Sequence, residues 1–373
     1  MKAIYVTTKI KENISTLILL ALIFSLPFWG IVNTGWLIRL EVVFTLLTVV
    51  YFFLINGANC LRDSSFLFYL LVLFLCGLKI YPMAALIPPA GLIFGKFLIS
   101  LNIKWKPINK TLLIFIIGAI IYFGKENELD TNFLSFYIAC LFVCADWTKN
   151  KRQFVNNIIY ILICVVVVSL LNSRAFTYAS IILFIAPFFK RYISKFNLAA
   201  TIYSFIFLSL ILTFSITFSD GEVVKLYRQG QPDTEIFSGI SKPSEGPNFI
   251  EKISNISDKN RFRISRMWVE EYLLDNPQNF LLGLGKNYPK IISDKLYYPA
   301  HNSFIEMAIY FGFPYLLIFI FCFYKSISKI DFINYKIIYI ISFGMVLHGI
   351  FYIFLIPYYF VLCKISEAEK NLG

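Results

Sequence analysis

The chain has 373 residues, of which 58% are hydrophobic and only 15% are charged, and its mean hydropathy is +0.71. Soluble globular proteins carry about 25% charged residues, so this composition excludes a soluble enzyme and indicates an integral membrane protein. A net charge of +12 would indicate nucleic-acid binding only if the basic residues formed a surface patch.

Apolar segments recur along the chain at the length that a bilayer requires. A hydrocarbon core about 30 Å thick needs roughly 20 apolar residues per helix. The predicted spans are 14–32, 36–55, 64–81, 84–101, 111–124, 131–147, 154–172, 175–189, 198–218, 302–324 and 337–363. Pro88 and Pro89 predict a kink or break in the fourth span. The last segment has His348 and Gly349 near its middle, and we take it as two short helices rather than one tilted helix, which gives about twelve spans.

Basic residues occupy alternate short loops and therefore orient the spans. Eighteen Lys and Arg residues lie in the segments 2–11, 62, 104–110, 149–152, 190–195, 325–336 and 364–370. All of these fall on one side of the predicted topology, which the positive-inside bias assigns to the cytoplasm together with both termini. The excess positive charge therefore indicates topology, and no nucleic-acid partner is expected. No small-residue cleavage site follows the first apolar segment, so we expect it to be retained as a span.

One loop is much longer than the others and divides the chain into three parts. Residues 1–218 are predicted to form transmembrane helices 1 to 9, residues 219–300 a large outer loop, and residues 301–373 the C-terminal transmembrane helices with a short cytoplasmic tail. The loop contains eleven Lys/Arg and eleven Asp/Glu, and it has no cysteine. Neither a disulfide framework nor a cysteine metal site is therefore expected there.

A basic amphipathic helix is predicted near 260–275 of this loop. Apolar residues recur at helical spacing over Arg261–Leu274, whereas 219–259 has the composition of irregular chain. Asp258 is placed to cap the helix, and Asn276–Pro277 is placed to end it. The stretch Phe280–Gly285 is predicted to be an apolar turn punctuated by glycines.

Three residues at the start of the next span are candidates for chemistry. His301 lies where the outer loop re-enters the membrane, and a histidine there can accept a proton near neutral pH. Asn302 follows it, and Glu306 lies one helical turn further. An ionisable residue in an apolar helix is costly, so Glu306 should face a polar cavity or a partner. The alternatives are that His301 is a boundary residue without chemistry and that Glu306 pairs with a neighbouring arginine.

Arginines at the outer face are candidates for binding phosphate. Arg174 follows a predicted span, where the positive-inside bias does not expect it, and snorkelling to the interface is its alternative role. Arg261, Arg263 and Arg266 lie on the loop helix. A guanidinium binds phosphate through two parallel hydrogen bonds and stays charged. The alternative for Arg266 is an ion pair with Glu270, four residues further along the helix.

Two pairs of acidic residues suggest an alternative hypothesis, a metal-dependent transferase. Asp220 and Glu222, and likewise Glu128 and Asp130, are separated by one residue in predicted outer loops. Such spacing can hold Mg²⁺ or Mn²⁺ through oxygen ligands. The pattern is common in outer loops, and a metal-dependent transferase is therefore kept as an alternative that a chelator would test.

The ordered motifs resemble those of the O-antigen polymerase and O-antigen ligase superfamily of bacterial envelope glycan transferases. The matching residues are Asn172–Phe176, Arg263–Trp268, Asn276–Pro277 with Gly283 and Gly285, and His301–Phe304 with Gly312. Residue-level similarity covers mainly 165–320. The resemblance implies an all-α, GT-C-like membrane protein with about twelve transmembrane helices and one large periplasmic loop, located in the bacterial inner membrane as a multi-pass protein.

The resemblance also implies an activity. The donor would be an oligosaccharide on undecaprenyl pyrophosphate, and an acceptor hydroxyl would attack the anomeric carbon with inversion, without a metal or other cofactor. His301 would be catalytic, Arg174 with Arg263 or Arg266 would bind the pyrophosphate, and Asn302 and Glu306 would support them. Other expected partners are membrane lipids, a chain-length regulator, and an acceptor glycan that is either a lipid-linked repeat unit or lipid A–core.

Two departures from the family pattern bear on the acceptor. The spacing from Pro277 to Gly283 is longer than usual, and Pro299–Ala300 stands where ligases often have a second histidine. The second departure favours a polymerase over a ligase. A flippase or transporter for lipid-linked sugars is the alternative from another class, but such proteins usually show internal repeats and ionisable residues near the middle of the bilayer.

Overall fold

A computed structural model of the chain describes three main parts of it: most of residues 34–144, most of residues 264–294, and much of residues 300–371. The described residues are 34–101, 103, 105–126, 131–144, 264–266, 268–294, 300, 302–327, 340–341 and 355–371, with isolated positions within 14–22, 162–167 and 203–211. The spans predicted at 154–172, 175–189 and 198–218 therefore lie largely outside the described residues.

The described part of the chain is built from helices joined by short turns. The helices are α1 (Thr34–Asn56), α2 (Ser64–Gly77), α3 (Ile87–Ser100), α4 (Lys110–Glu126), α5 (Thr131–Val143), α6 (Pro277–Leu282), α7 (Asn287–Asp294), α8 (Ser303–Phe311), α9 (Phe313–Ile327) and α10 (Leu355–Asn371). Short 3₁₀-helices occupy Gly57–Arg62 and Met83–Leu86, and a π-helical turn occupies Val269–Leu274. No strand occurs among these residues, which confirms the all-α class for this part of the chain.

The number of spans stays a prediction. By length and composition, Met83–Ser100 is the one described helix that can cross a membrane by itself. The helices Leu46–Arg62 and Ser64–Gly77 meet the same criterion together but are bent by 98°. The described apolar helices Thr111–Tyr122, Leu134–Val143, Phe313–Ile327 and Ile356–Ile365 are shorter.

The two prolines of the fourth predicted span do not break its helix. Met83–Leu86 is a 3₁₀-helix that leads into α3, and Pro88 and Pro89 lie in the first turn of α3. The N–H groups of the first turn have no partner within a helix, so proline is accepted there without loss of a hydrogen bond. The expected kink is therefore replaced by a change of helix type at residue 87.

Helix α10 packs closely along α3 at a glycine. A Cβ atom on Gly95 would overlap Cδ2 of Phe360 and would lie 2.8 Å from its Cε2 and Cγ atoms. Phe360 is fully buried and belongs to the main hydrophobic cluster. The glycine therefore sets the distance between the two helices.

An ion pair joins α3 to the bend before α2. The Lys96 ammonium lies 2.7 Å from both carboxylate oxygens of Asp63. Asp63 also caps α2, because its Oδ1 accepts hydrogen bonds from the backbone N–H groups of Ser65 and Phe66. Burial by itself raises the pKa of Asp63, but the ammonium and the two N–H groups outweigh burial, so the pKa lies below its ordinary value.

Polar contacts anchor α9 at both of its ends. Near its start, Tyr315 donates a hydrogen bond of 2.6 Å to the carbonyl of Ala85. Near its end, the hydroxyls of Ser326 and Ser65 are 3.0 Å apart. Helix α9 therefore lies along both α2 and α3. The ring of Tyr81, in the turn after α2, contacts Tyr315 near the start of α9 and Phe311 at the end of α8.

We predict that Gly95→Ala lowers the thermal stability of the detergent-purified protein. The new methyl group would displace the buried Phe360 ring, and overpacking of this kind costs about 1–3 kcal/mol. Gly118→Ala is the matched control, because a Cβ at that helical position has no atom within 4 Å. The control should be neutral or stabilising, and equal melting temperatures for both variants would contradict the packing role of Gly95.

We also predict that Lys96→Met destabilises the protein, because it leaves the Asp63 carboxylate without its cation. Removal of one partner of a largely buried pair costs about 2–4 kcal/mol. The double variant Lys96→Met/Asp63→Asn should recover most of that loss, since asparagine retains the helix cap. Parent-like stability of Lys96→Met in thermal unfolding would show that the ion pair contributes nothing, and equal destabilisation of the single and double variants would show that the unpaired carboxylate is not the cause.

Candidate functional site

Helix α8 lies between two hydrophobic clusters. Ile305 and Ile309 belong to a small cluster with Ile264, Trp268, Val269, Leu273, Tyr288 and Ala300 of the outer loop. Phe304, Met307, Ala308 and Phe311 belong to the main cluster of the long helices. The described loop residues 264–266, 268–294 and 300, here called the cap, are therefore folded onto one face of α8.

The N-terminus of α8 is closed by Asn302. This residue is 1% exposed, and its Oδ1 accepts hydrogen bonds of 3.0 and 3.1 Å from the N–H groups of Phe304 and Ile305. An asparagine in this position satisfies helix N–H groups that have no partner within the helix. The side-chain oxygen of Asn302 is thus engaged in fixing where α8 begins, directly after His301 in the sequence.

Glu306 lies at the boundary between the two clusters. Its side chain is half-buried, one turn after Asn302. The Tyr288 hydroxyl donates a hydrogen bond of 3.3 Å to Glu306 Oε1, and the same hydroxyl accepts one of 3.3 Å from the backbone N–H of Ala300. Tyr288 of the cap is therefore one partner of Glu306.

The predicted loop helix is present, with a widened last turn. Ile264, Ser265, Arg266 and Trp268 are helical and lead into the π-helical turn Val269–Leu274. A π turn places residues five apart on one face, and Trp268 and Leu273 are both buried in the cap cluster. The Trp268 ring lies 4.9 Å from that of Tyr272 and 5.0 Å from that of Tyr288.

Arg266 forms the ion pair that was the alternative to phosphate binding. Its Nε lies 2.7 Å from Glu270 Oε1, one turn along the helix. Its side chain is 20% exposed and that of Glu270 is 40% exposed. A phosphate at this arginine would have to compete with a carboxylate that is already in place.

Two glycines hold the cap against the end of α8. Gly283 has φ +70° and Gly312 has φ +89°. A Cβ on Gly283 would lie 2.5 Å from the nitrogen of Gly312, and one on Gly312 would overlap the carbonyl oxygen of Leu281. The N–H groups of Leu284 and Gly285 donate to the carbonyls of Ile309 and Tyr310 at 2.7 and 2.9 Å. The two backbones therefore approach as closely as glycine allows.

Several predicted site residues lie outside the described residues. They are His301, Arg174, Arg263, the helix cap Asp258, and the acidic pairs at 128 and 130 and at 220 and 222. Within the described part of the chain, no group of three or more His, Cys, Asp or Glu side chains is placed to hold a metal ion. Of the predicted site residues, the structure therefore places Arg266, Asn302 and Glu306.

Two cap helices and one residue were missed by sequence reasoning. The stretch Phe280–Leu282 was predicted to be part of a turn, but it ends helix α6, which Asn276 caps through a 2.9 Å hydrogen bond from the Gln278 N–H. Helix α7 was not predicted, and with it Tyr288 was overlooked. The spacing of Tyr288 and Ile291, three residues apart, was the available signal, because both pack into the cap cluster.

A comparison with known families decides the identity of this segment. Residues 159–320 match the family model described as O-antigen ligase. The match over this segment supports the resemblance to the O-antigen polymerase/ligase superfamily. The matched segment contains the loop helix, the glycine junction and α8, in agreement with the resemblance over 165–320. The superfamily comprises membrane proteins of lipopolysaccharide biosynthesis that transfer lipid-linked glycans. No curated protein and no solved structure gives a significant match to the chain.

We predict that Gly312→Ala loosens the cap from α8. The methyl group would overlap Leu281, and alanine would have to adopt φ +89° and ψ 157°, a conformation that is essentially restricted to glycine and costs other residues about 1–3 kcal/mol. Limited proteolysis should then cut within 277–294 faster than in the parent protein. Gly57→Ala is the control, because its φ is +53° but a Cβ there has no atom within 4 Å. An unchanged proteolysis rate for Gly312→Ala would contradict the anchoring role.

Proposed function

We propose that the protein is an O-antigen or surface-polysaccharide polymerase of the inner membrane. It joins repeat units by transferring a glycan from an undecaprenyl-pyrophosphate-linked donor to the hydroxyl of a second lipid-linked unit. The reaction inverts the anomeric centre, needs no metal, and takes place at the periplasmic face. The observation that carries the proposal is the placement of Glu306 and the start of α8 under a folded cap, inside the segment that matches the family.

The chemistry requires two kinds of group at this place. A hydroxyl is a weak nucleophile, and a base that removes its proton typically contributes about 10²–10⁴-fold to the rate. We assign this role to His301, which directly precedes the helix cap Asn302. Glu306 lies on α8, one turn after the helix cap Asn302, and we assign its carboxylate to supporting the histidine and the acceptor.

The leaving pyrophosphate requires cations where its negative charge grows. We assign Arg174 and Arg263 to this role. Arg266 is a weaker candidate, because the 2.7 Å ion pair with Glu270 occupies one side of its guanidinium. Arg263 is therefore preferred among the loop-helix arginines, on the physical ground that its neighbour is already paired.

The ligase remains the second candidate function. The description of the matching family model, O-antigen ligase, favours it, and the chemistry at the donor is the same. The acceptor would then be lipid A–core instead of a repeat unit. Pro299 and Ala300 before His301 favour the polymerase, since ligases often have a histidine there.

We predict that His301→Ala abolishes surface glycan assembly in a strain deleted for this gene. The loss should be at least about 100-fold, because the acceptor loses its base. Arg174→Ala and Arg263→Ala should lower assembly by about tenfold or more, whereas Lys286→Ala, an exposed cap lysine, should restore the parent pattern. The measurement is the glycan ladder on a gel, normalised to the amount of protein in the membrane.

The pattern left by the deletion separates the functions. Core carrying a single repeat identifies a polymerase, and long lipid-linked chains that are not attached to core identify a ligase. A full ladder from the His301→Ala, Arg174→Ala and Arg263→Ala variants would contradict the transferase site and favour a transporter.

A further inference from the structure

Tyr288 connects three parts of the structure through one side chain. Its ring is 3% exposed and lies against Trp268 of the loop helix and Tyr310 of α8, at centroid distances of 5.0 and 5.3 Å. Its hydroxyl contacts the Glu306 carboxylate and the Ala300 N–H, each at 3.3 Å. A buried tyrosine hydroxyl that donates to one group and accepts from another fixes the relative position of both.

The two groups that this hydroxyl joins flank the predicted base. Ala300 is fully buried and directly precedes His301 in the sequence, and Glu306 lies five residues after His301 on α8. Asn302 fixes the start of the helix from the other side of His301 through its two cap hydrogen bonds. The backbone is thus held immediately before and immediately after residue 301 by two separate side chains.

We propose that Tyr288 is a positioning residue for glycan transfer. Its hydroxyl fixes two groups relative to the cap, namely the backbone at Ala300, directly before His301, and the carboxylate of Glu306. This inference rests on the proposed function, because His301 is taken as the base. The base must lie within hydrogen-bond reach of the acceptor hydroxyl, and a shift of about 1 Å is enough to lower a rate by about 100-fold. Because Tyr288 belongs to the cap, the positions of Ala300 and Glu306 depend on the packing of the cap against α8.

The test is Tyr288→Phe, which retains the ring and its packing and removes only the hydroxyl. Transfer would be measured in proteoliposomes with a lipid-linked oligosaccharide donor, and the turnover would be divided by the fraction of protein that binds the donor. We expect the turnover to fall about tenfold, as for a lost hydrogen bond to a charged group, and KM for the donor to change less than about twofold. Tyr272→Phe, which removes a hydroxyl from the other ring packed on Trp268, is the matched control and should stay within about twofold of the parent.

A second pair of variants examines the same hydrogen bond from the carboxylate side. Glu306→Gln retains an oxygen that can accept from Tyr288, whereas Glu306→Leu has similar size and removes the acceptor. We expect the glutamine variant to transfer faster than the leucine variant by about tenfold, and Tyr288→Phe to add little to Glu306→Leu. If Tyr288→Phe is misfolded and does not bind donor, the comparison of Glu306→Gln with Glu306→Leu tests the proposal instead. Equal rates for these two variants would overturn it.

The failure of this inference and the failure of the proposed function give different results. Parent-like turnover in Tyr288→Phe together with an inactive His301→Ala would overturn the positioning role and leave the transferase function standing. Full transfer by His301→Ala would remove the proposed base, and the positioning role of Tyr288 would fall with it.

Discussion

Helix α8 is constrained from two sides, and the arrangement of the candidate site follows from this. Ile305 and Ile309 are buried against the cap, while Phe304 and Phe311 are buried against the long helices. Burial of opposite faces of one short helix prevents it from rotating or sliding, because either movement would expose apolar surface to a polar environment. A half-buried carboxylate, that of Glu306, therefore has a fixed position at the edge where the two clusters meet.

The cap is attached to α8 by backbone contacts as well as by packing. The close approach at Gly283 and Gly312 allows two N–H groups of the cap to reach carbonyls at the end of α8. Tyr288 forms the corresponding link near the start of the same helix. With attachments at both ends of α8, the described part of the loop helix, which carries Arg266, is held in a defined relation to Glu306. A transferase that handles a charged leaving group and a weak nucleophile needs this kind of preorganisation.

Sequence reasoning succeeded where a signal repeats within one element. The apolar period predicted the loop helix, and the four-residue spacing of Arg266 and Glu270 gave their ion pair as the alternative to phosphate binding. It failed where elements are short. Helices α6 and α7 have six and eight residues, which is too few for a periodic pattern to stand out from a turn. Pro88 and Pro89 were expected to distort a span, but the chain begins a new helix there, and local sequence does not show where a 3₁₀ turn gives way to an α-helix.

The sequence by itself indicated a membrane protein, predicted one long loop between its spans, and showed motifs in the order of the O-antigen polymerase/ligase superfamily. These conclusions depend on composition, segment length and order, which are properties of the linear chain. The tertiary structure alone decided that Tyr288 meets Glu306, that Gly283 meets Gly312, and that Lys96 pairs with Asp63. Each of these contacts joins residues on different elements, so it depends on how the helices pack, and packing is set by the shapes of many buried side chains at once.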